Sequence, residues 1–199
     1  MADPAAEVET EAATEALGDP KASTRERLVQ AAAAEFREHG FGGTDTNRIA
    51  RRAGFAPQTF YRWFTDKTGI FIAVYRAWED EEKSLMGALR RRGADEDDVV
   101  EAAIAHHKAY LIFRRSLRRL SLEDPQVRAA RAESRLRQVA RIREWRGGAV
   151  SADEVATVLL QLERLSDALA EGELLDMGLD EAPARRRLAD LLTWLRTGS

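Results

Sequence analysis

The sequence contains no cysteine and only three histidines. The first absence excludes disulfides and thiolate metal sites. The second leaves little to hold a metal, because the adjacent His106 and His107 point about 100° apart on a helix and cannot easily share an ion. No metal or cofactor is therefore expected. No apolar run approaches the roughly 18 to 20 residues of a membrane span, so no membrane partner is expected. Residues 1–20 are acidic and lack the apolar core of a secretory leader, which makes a cytoplasmic protein the expectation. There is no phosphate loop, nucleophile motif or glycine fingerprint, and the carboxylate pairs sit in solvated charge runs. The chain is not read as an enzyme. Alternating strand patterns and repeats of about 20 to 50 residues are also missing.

What is present is charge and helical periodicity. Hydrophobic residues make up 44% and charged residues 33% of the 199, which describes a globular chain with a well-solvated surface. The net charge of −3 conceals blocks of alternating sign. Residues 1–20 hold six acids and no base, residues 21–70 nine bases against five acids, residues 108–146 twelve against four, and residues 147–182 one against nine. The basic block 108–146 has three readings. It could bind DNA, line a pocket for an anionic effector such as an acyl thioester, or pair with its acidic neighbours. Pairing on a solvated surface is the commonest fate of charge runs and is the reading favoured.

Residues 1–20 carry few large apolar side chains and no periodicity, so a disordered tail is expected there. Ser23-Thr24-Arg25-Glu26 has the spacing of a capping box. Leu28, Ala31, Ala32, Glu35 and Phe36 then trace one helical face, and Gly40 ends it, with Phe41 as an apolar plug. Thr44 or Asp45 caps a second helix that turns Ile49, Ala50 and Ala53 inward and stops at Gly54. Pro57 opens a third helix, where a missing N–H costs nothing. Lys67 lies near the start of a fourth, marked by Ile70, Phe71, Val74, Tyr75 and Trp78. Everything beyond residue 70 reads as helix, with breaks expected at Gly93, Asp124-Pro125, Gly147-Gly148, Gly178 and Ala182-Pro183. Ser151 to Glu154 is a second candidate capping box. The fold class is all-α.

The stretch TNRIARRAGFAPQTFYRWF, Thr46 to Phe64, carries the chemistry. Two helices joined by a short glycine-containing turn make a helix-turn-helix, whose second helix enters the DNA major groove. At about 100° per residue, Phe60 and Phe64 define the inner face of that second helix. Gln58 and Arg62 fall opposite, with Tyr61 on one flank and Thr59 and Trp63 on the other. Gln pairs bidentately with adenine and Arg with guanine, while hydroxyls and an indole N–H reach phosphates. Taken alone, Gln58 and Arg62 would be ordinary solvated residues. Their clustering with aromatics beside a turn-linked helix favours a reading head.

Residues 24–70 resemble the DNA-binding domain of the tetracycline-repressor (TetR) family of bacterial transcription regulators. The resemblance rests on His39-Gly40-Phe41, Thr44, Ile49-Ala50, Ala53-Gly54, Thr59, Tyr61, Phe64 and Lys67. Beyond the disordered acidic tail expected at 1–20, it implies a three-helix DNA-binding domain at 21–68 and an effector-binding and dimerisation domain at 69–199. It implies phosphate and sometimes base contacts from Thr46 and Asn47, a backbone position for Arg48, base reading by Pro57, Gln58 and Arg62, and phosphate contacts mainly from Thr59, Tyr61 and Trp63. Lys67 would clamp a phosphate at the start of the fourth helix. Ala56 departs from the serine cap frequent in the family, and Trp63 stands where Tyr or His is usual.

The function so implied is that of a homodimeric repressor released from a palindromic double-stranded DNA operator by a small-molecule effector. Residues 151–177 and 182–196 would pair with the partner subunit. An activator of the same fold is an alternative. So is a structural DNA-coating protein, though the modest excess of base in residues 21–70 and the acidic tail argue against it. His107, Tyr110, Phe113 and Trp145 could line an effector cavity, and each could equally be a core residue.

Overall fold

The computed structural model describes residues 22–197; the expected tail at 1–20 lies outside them. Among the described residues there are ten helices and no strand. They are α1 (Thr24–His39), α2 (Thr46–Arg52), α3 (Pro57–Tyr61), α4 (Lys67–Arg91), α5 (Glu96–Ala109), α6 (Leu111–Glu123), α7 (Pro125–Trp145), α8 (Ala152–Glu171), α9 (Glu173–Asp176) and α10 (Ala182–Thr197). The chain divides into two compact units, Met1–Tyr75 and Arg76–Ser199, and the division falls inside α4.

In the first unit both halves of the capping box at Ser23 form. Its hydroxyl accepts from the Glu26 N–H, and the Glu26 carboxylate accepts from the Ser23 N–H at 2.7 Å. The apolar face then buries Leu28, Ala32 and Phe36, as Ile49, Ala50, Phe60, Ile70 and Phe71 are buried on the following helices, and Phe36 meets Phe71 edge-on at 5.1 Å. Phe41 plugs the end of α1 as expected: its ring stacks 6.0 Å from Phe36 and meets Phe71 edge-on at 5.3 Å. The choice of cap for α2 resolves to Asp45, whose carboxylate accepts from the Arg48 N–H at 2.9 Å. Gly54 takes the left-handed conformation (φ 78°) that turns the chain from α2 to α3, a region side-chain-bearing residues adopt with strain.

The second unit has two apolar centres. Val100 and Ile104 of α5, Leu169 of α8 and Leu188 of α10 form one. Val139 of α7, Val150 of the turn before α8 and Val155 of α8 form the other, with Trp194 and Leu195 of α10 packed on it. The breaks at Gly93, Asp124, Gly147-Gly148 and Gly178 occur where expected, and Ala182 begins α10. Two breaks were not foreseen. Tyr110 separates α5 from α6, and Gly172, left-handed at φ 76°, ends α8 at Glu171. The single helix expected over 151–177 is therefore two.

Candidate nucleic-acid interface

Pro57 starts α3 and Ala56 makes no side-chain cap, so α3 has a bare N-terminus. The helix is short: it closes at Tyr61, with Arg62 as its C-cap, and the chain turns through Trp63. The expected partition nonetheless holds. Phe60 and Phe64 are buried, whereas Gln58, Arg62, Tyr61 (58% exposed) and Trp63 (49%) face outward. Pro57 and Thr59 are half-buried beside them. On α2, Asn47 and Arg48 are exposed and Thr46 is half-buried. The Thr46 and Tyr61 hydroxyls hydrogen-bond at 2.9 Å, which joins the outward faces of α2 and α3.

Several polar groups hold this head from behind. The Arg27 guanidinium donates to the Ala53 carbonyl at 2.9 Å and lies 4.6 Å from the Phe55 ring, tying α1 to the turn. Glu35, only 4% exposed, accepts from the Thr44 hydroxyl at 2.7 Å and from Arg52 at 3.1 Å, with Arg48 Nε at 3.4 Å. Burial pushes its carboxyl up, but the Thr44 hydrogen bond and the two guanidiniums outweigh this and hold it below the usual range. Glu38 accepts from both terminal nitrogens of Arg52, at 2.7 and 2.5 Å.

Lys67 opens α4 as expected, but the partners of its ammonium were unforeseen. Its ammonium donates to the carbonyls of Phe41 (2.7 Å) and Thr44 (2.9 Å) and sits 4.2 Å over the Phe41 ring. A cation at a helix N-terminus opposes the helix dipole. Here the two carbonyls and the ring offset that, and the loop between α1 and α2 is pinned.

In the second unit the basic block meets the acidic one. Arg114 is buried and contacts Asp167 at 3.0 Å and Glu163 at 2.9 Å. Arg115 and Arg118 pair with Glu171, and Arg131 and Arg135 pair with Glu163. The favoured pairing reading is thus the one the structure bears out. His107 is buried between Asp167 (Nδ1 to Oδ1, 2.9 Å) and Glu82 (Nε2 to Oε1, 3.4 Å).

His107, Tyr110 and Phe113 lie in one ring cluster. Trp78 meets His107 edge-on at 5.6 Å, and Tyr110 meets Phe113 at 6.4 Å. Phe113 is fully buried, while Tyr110 donates to Glu81 at 2.5 Å. Trp145 is half-exposed and instead carries Arg90 at 4.6 Å over its ring. Between α4 and α7 runs a groove of about 370 Å³ lined by Arg76, Lys83, Arg137 and Arg141 and by Glu79, Asp80 and Glu133. Glu133 bridges Arg76 and Arg137, each at 3.1 Å, so the charges there largely compensate.

Residues 28–74 match the family model for bacterial regulatory proteins of the tetR family. These residues carry the DNA-binding region of that family. The chain is 29% identical over 148 residues to the HTH-type transcriptional repressor SCO4008 of Streptomyces coelicolor, covering 70% of this chain and 73% of that protein. Its fold is that of a transcriptional regulator from Rhodococcus sp. Rha1, with a TM-score of 0.62 at 18% identity over 88% of this chain and 97% of that one. It is likewise similar to Thermus thermophilus FadR, a TetR-family repressor solved with lauroyl-CoA, with a TM-score of 0.57 at 19% identity over 87% and 94% of the two chains. By its helix-turn-helix segment and its curated relative, the chain is a transcriptional regulator and not an enzyme.

Proposed function

We propose that the regulator is a repressor that binds a two-fold symmetric DNA operator as a homodimer and leaves it when a small molecule binds the second unit. The observation that carries the reading is the two-sided α3. Phe60 and Phe64 anchor it, and Gln58 and Arg62 stand exposed on the opposite side. Gln58 and Arg62 have the reach and donor geometry for base edges. Thr46, Asn47, Arg48, Pro57, Thr59, Tyr61 and Trp63 surround them as backbone contacts. Lys67 supports from behind rather than contacting phosphate, because its ammonium is engaged by carbonyls.

The dimer is assigned to α8 and α10, where Thr157, Leu160, Gln161 and Arg164 form an outward stripe on α8. A two-fold dimer reads half-sites about one helical turn apart. The effector is assigned to the second unit beside the His107, Tyr110 and Phe113 rings. Support comes from the repressor relative and from the ligand-bound FadR of similar fold. Effector binding would weaken DNA binding by about 1–3 kcal/mol, and DNA must weaken effector binding equally.

Selection of bound sequences from random duplex DNA tests this. A two-fold symmetric motif is expected, lost in Arg62→Ala. Binding without any enriched motif would favour a DNA-coating protein instead.

A further inference from the structure

The acids of α1 face the arginines of α2, and the geometry divides those arginines into different classes. Helix α2 carries Arg48, Arg51 and Arg52. In a helix-turn-helix the first helix crosses the DNA backbone, so each of these cations is a potential phosphate partner. Arg52 is gripped by two carboxylates: Glu38 takes both terminal nitrogens and Glu35 takes Nη1 at 3.1 Å. The Glu35 and Glu38 carboxyls are both held below their usual range, Glu38 chiefly by the Arg52 hydrogen bonds, so both stay charged at neutral pH. Arg48 is braced but not enclosed. Its Nε lies 3.4 Å from Glu35, its Nη1 donates to the Gly43 carbonyl at 3.3 Å, and its side chain stays 44% exposed. Arg51 is exposed and forms no ion pair among the described residues.

Glu35 is buried, and its oxygens meet partners from the loop (Thr44) and from two turns of α2 (Arg48 and Arg52). A carboxylate so placed fixes the position of α2 on α1. It also neutralises charge on the helix that lies along phosphates.

We propose that Glu35 and Glu38 form an acidic brace that withholds Arg52 from the DNA backbone and thereby limits sequence-independent binding relative to operator binding. Glu35 and Glu38 are positioning residues here; neither touches DNA. The inference rests on the DNA-binding reading above. Sequence-independent affinity comes almost wholly from cations that displace counterions, and each phosphate contact adds about 0.9 to the slope of log affinity against log salt. A withheld arginine adds nothing to that slope until it is released.

The test uses the full-length protein and a random-sequence duplex, so no operator need be known. Glu38 is half-exposed, and Glu38→Gln removes the bidentate grip without opening the core. Its affinity for the random duplex should rise several-fold at low salt, with a slope steeper by up to about 0.9. The double variant Glu38→Gln/Arg52→Gln should lose that gain. Glu35→Gln should steepen the slope in the same way, read beside its melting temperature. Coincident slopes for wild type and Glu38→Gln would overturn the proposal. So would a gain that persists in the double variant, because it would then reflect general loss of negative charge. A wild-type protein with no salt-dependent duplex binding would instead overturn the DNA-binding reading itself.

Discussion

Thr46 and Tyr61, one from each helix of the reading head, share a hydrogen bond of 2.9 Å between their hydroxyls. The bond is exposed, so it contributes little to stability, under about 1 kcal/mol. Its value lies in orientation: it ties the Tyr61 hydroxyl, on a ring 58% exposed, to α2 on the outward face. Tyr61→Phe and Thr46→Val are therefore expected to leave melting nearly unchanged and to weaken operator binding several-fold each. Because both remove the same bond, the loss in the double variant should be smaller than the product of the two single losses. Titrations of the four proteins against a selected operator give this coupling directly.

Lys67 separates a structural role from a contact role. Its ammonium holds the Phe41 and Thr44 carbonyls in a partly buried site. Hydrogen bonds to a charged group contribute roughly 1.5–3 kcal/mol, so Lys67→Met should destabilise the first unit by about 2 kcal/mol. Denaturant unfolding measures this. The salt slope of DNA binding should stay at its wild-type value. A slope lower by about 0.9 would mean that Lys67 also neutralises a phosphate.

The degree to which the sequence foretold these features follows from the range of each interaction. Caps, proline starts and glycine stops act within four residues, and Ser23, Pro57, Gly93 and Ser151 all behave as their local sequence indicates. The two faces of α3 were legible because they need only helical geometry and the contrast between phenylalanine and polar residues. The roles of Glu35 and Lys67 were not. Glu35 meets partners 9 to 17 positions away, and Lys67 meets carbonyls 23 and 26 positions away. The opposed charges of 108–146 and 147–182 indicated pairing, but not that Arg114 and Asp167 would be buried while doing it. Gly172 was hidden inside an apolar pattern that continues through Leu174 and Leu175. Trp145 was grouped with His107 by residue type alone, whereas its ring contact is with Arg90.

Asp167 gives the second unit a defined acid sensitivity. It is 2% exposed. Burial alone would raise its carboxyl, but the His107 hydrogen bond and the Arg114 guanidinium together outweigh it and hold the group down to about 2, against an ordinary 3.8. A carboxyl depressed in the folded state binds its proton more readily when unfolded. Its stabilisation is thus fully present above pH about 4 and is lost as pH falls through about 2. The difference corresponds to about 2 kcal/mol. In Asp167→Asn that increment should vanish from the pH profile between about 4 and 2, so its unfolding free energy should fall less steeply there than that of wild type. At neutral pH the same variant should be destabilised by about 3–5 kcal/mol, because the buried Arg114 loses its Asp167 partner and keeps Glu163 as its ion pair among the described residues. Urea unfolding of both proteins at a series of pH values checks the two outcomes together. Parallel profiles from pH 5 to 2 would show that Asp167 is not held charged by His107 and Arg114.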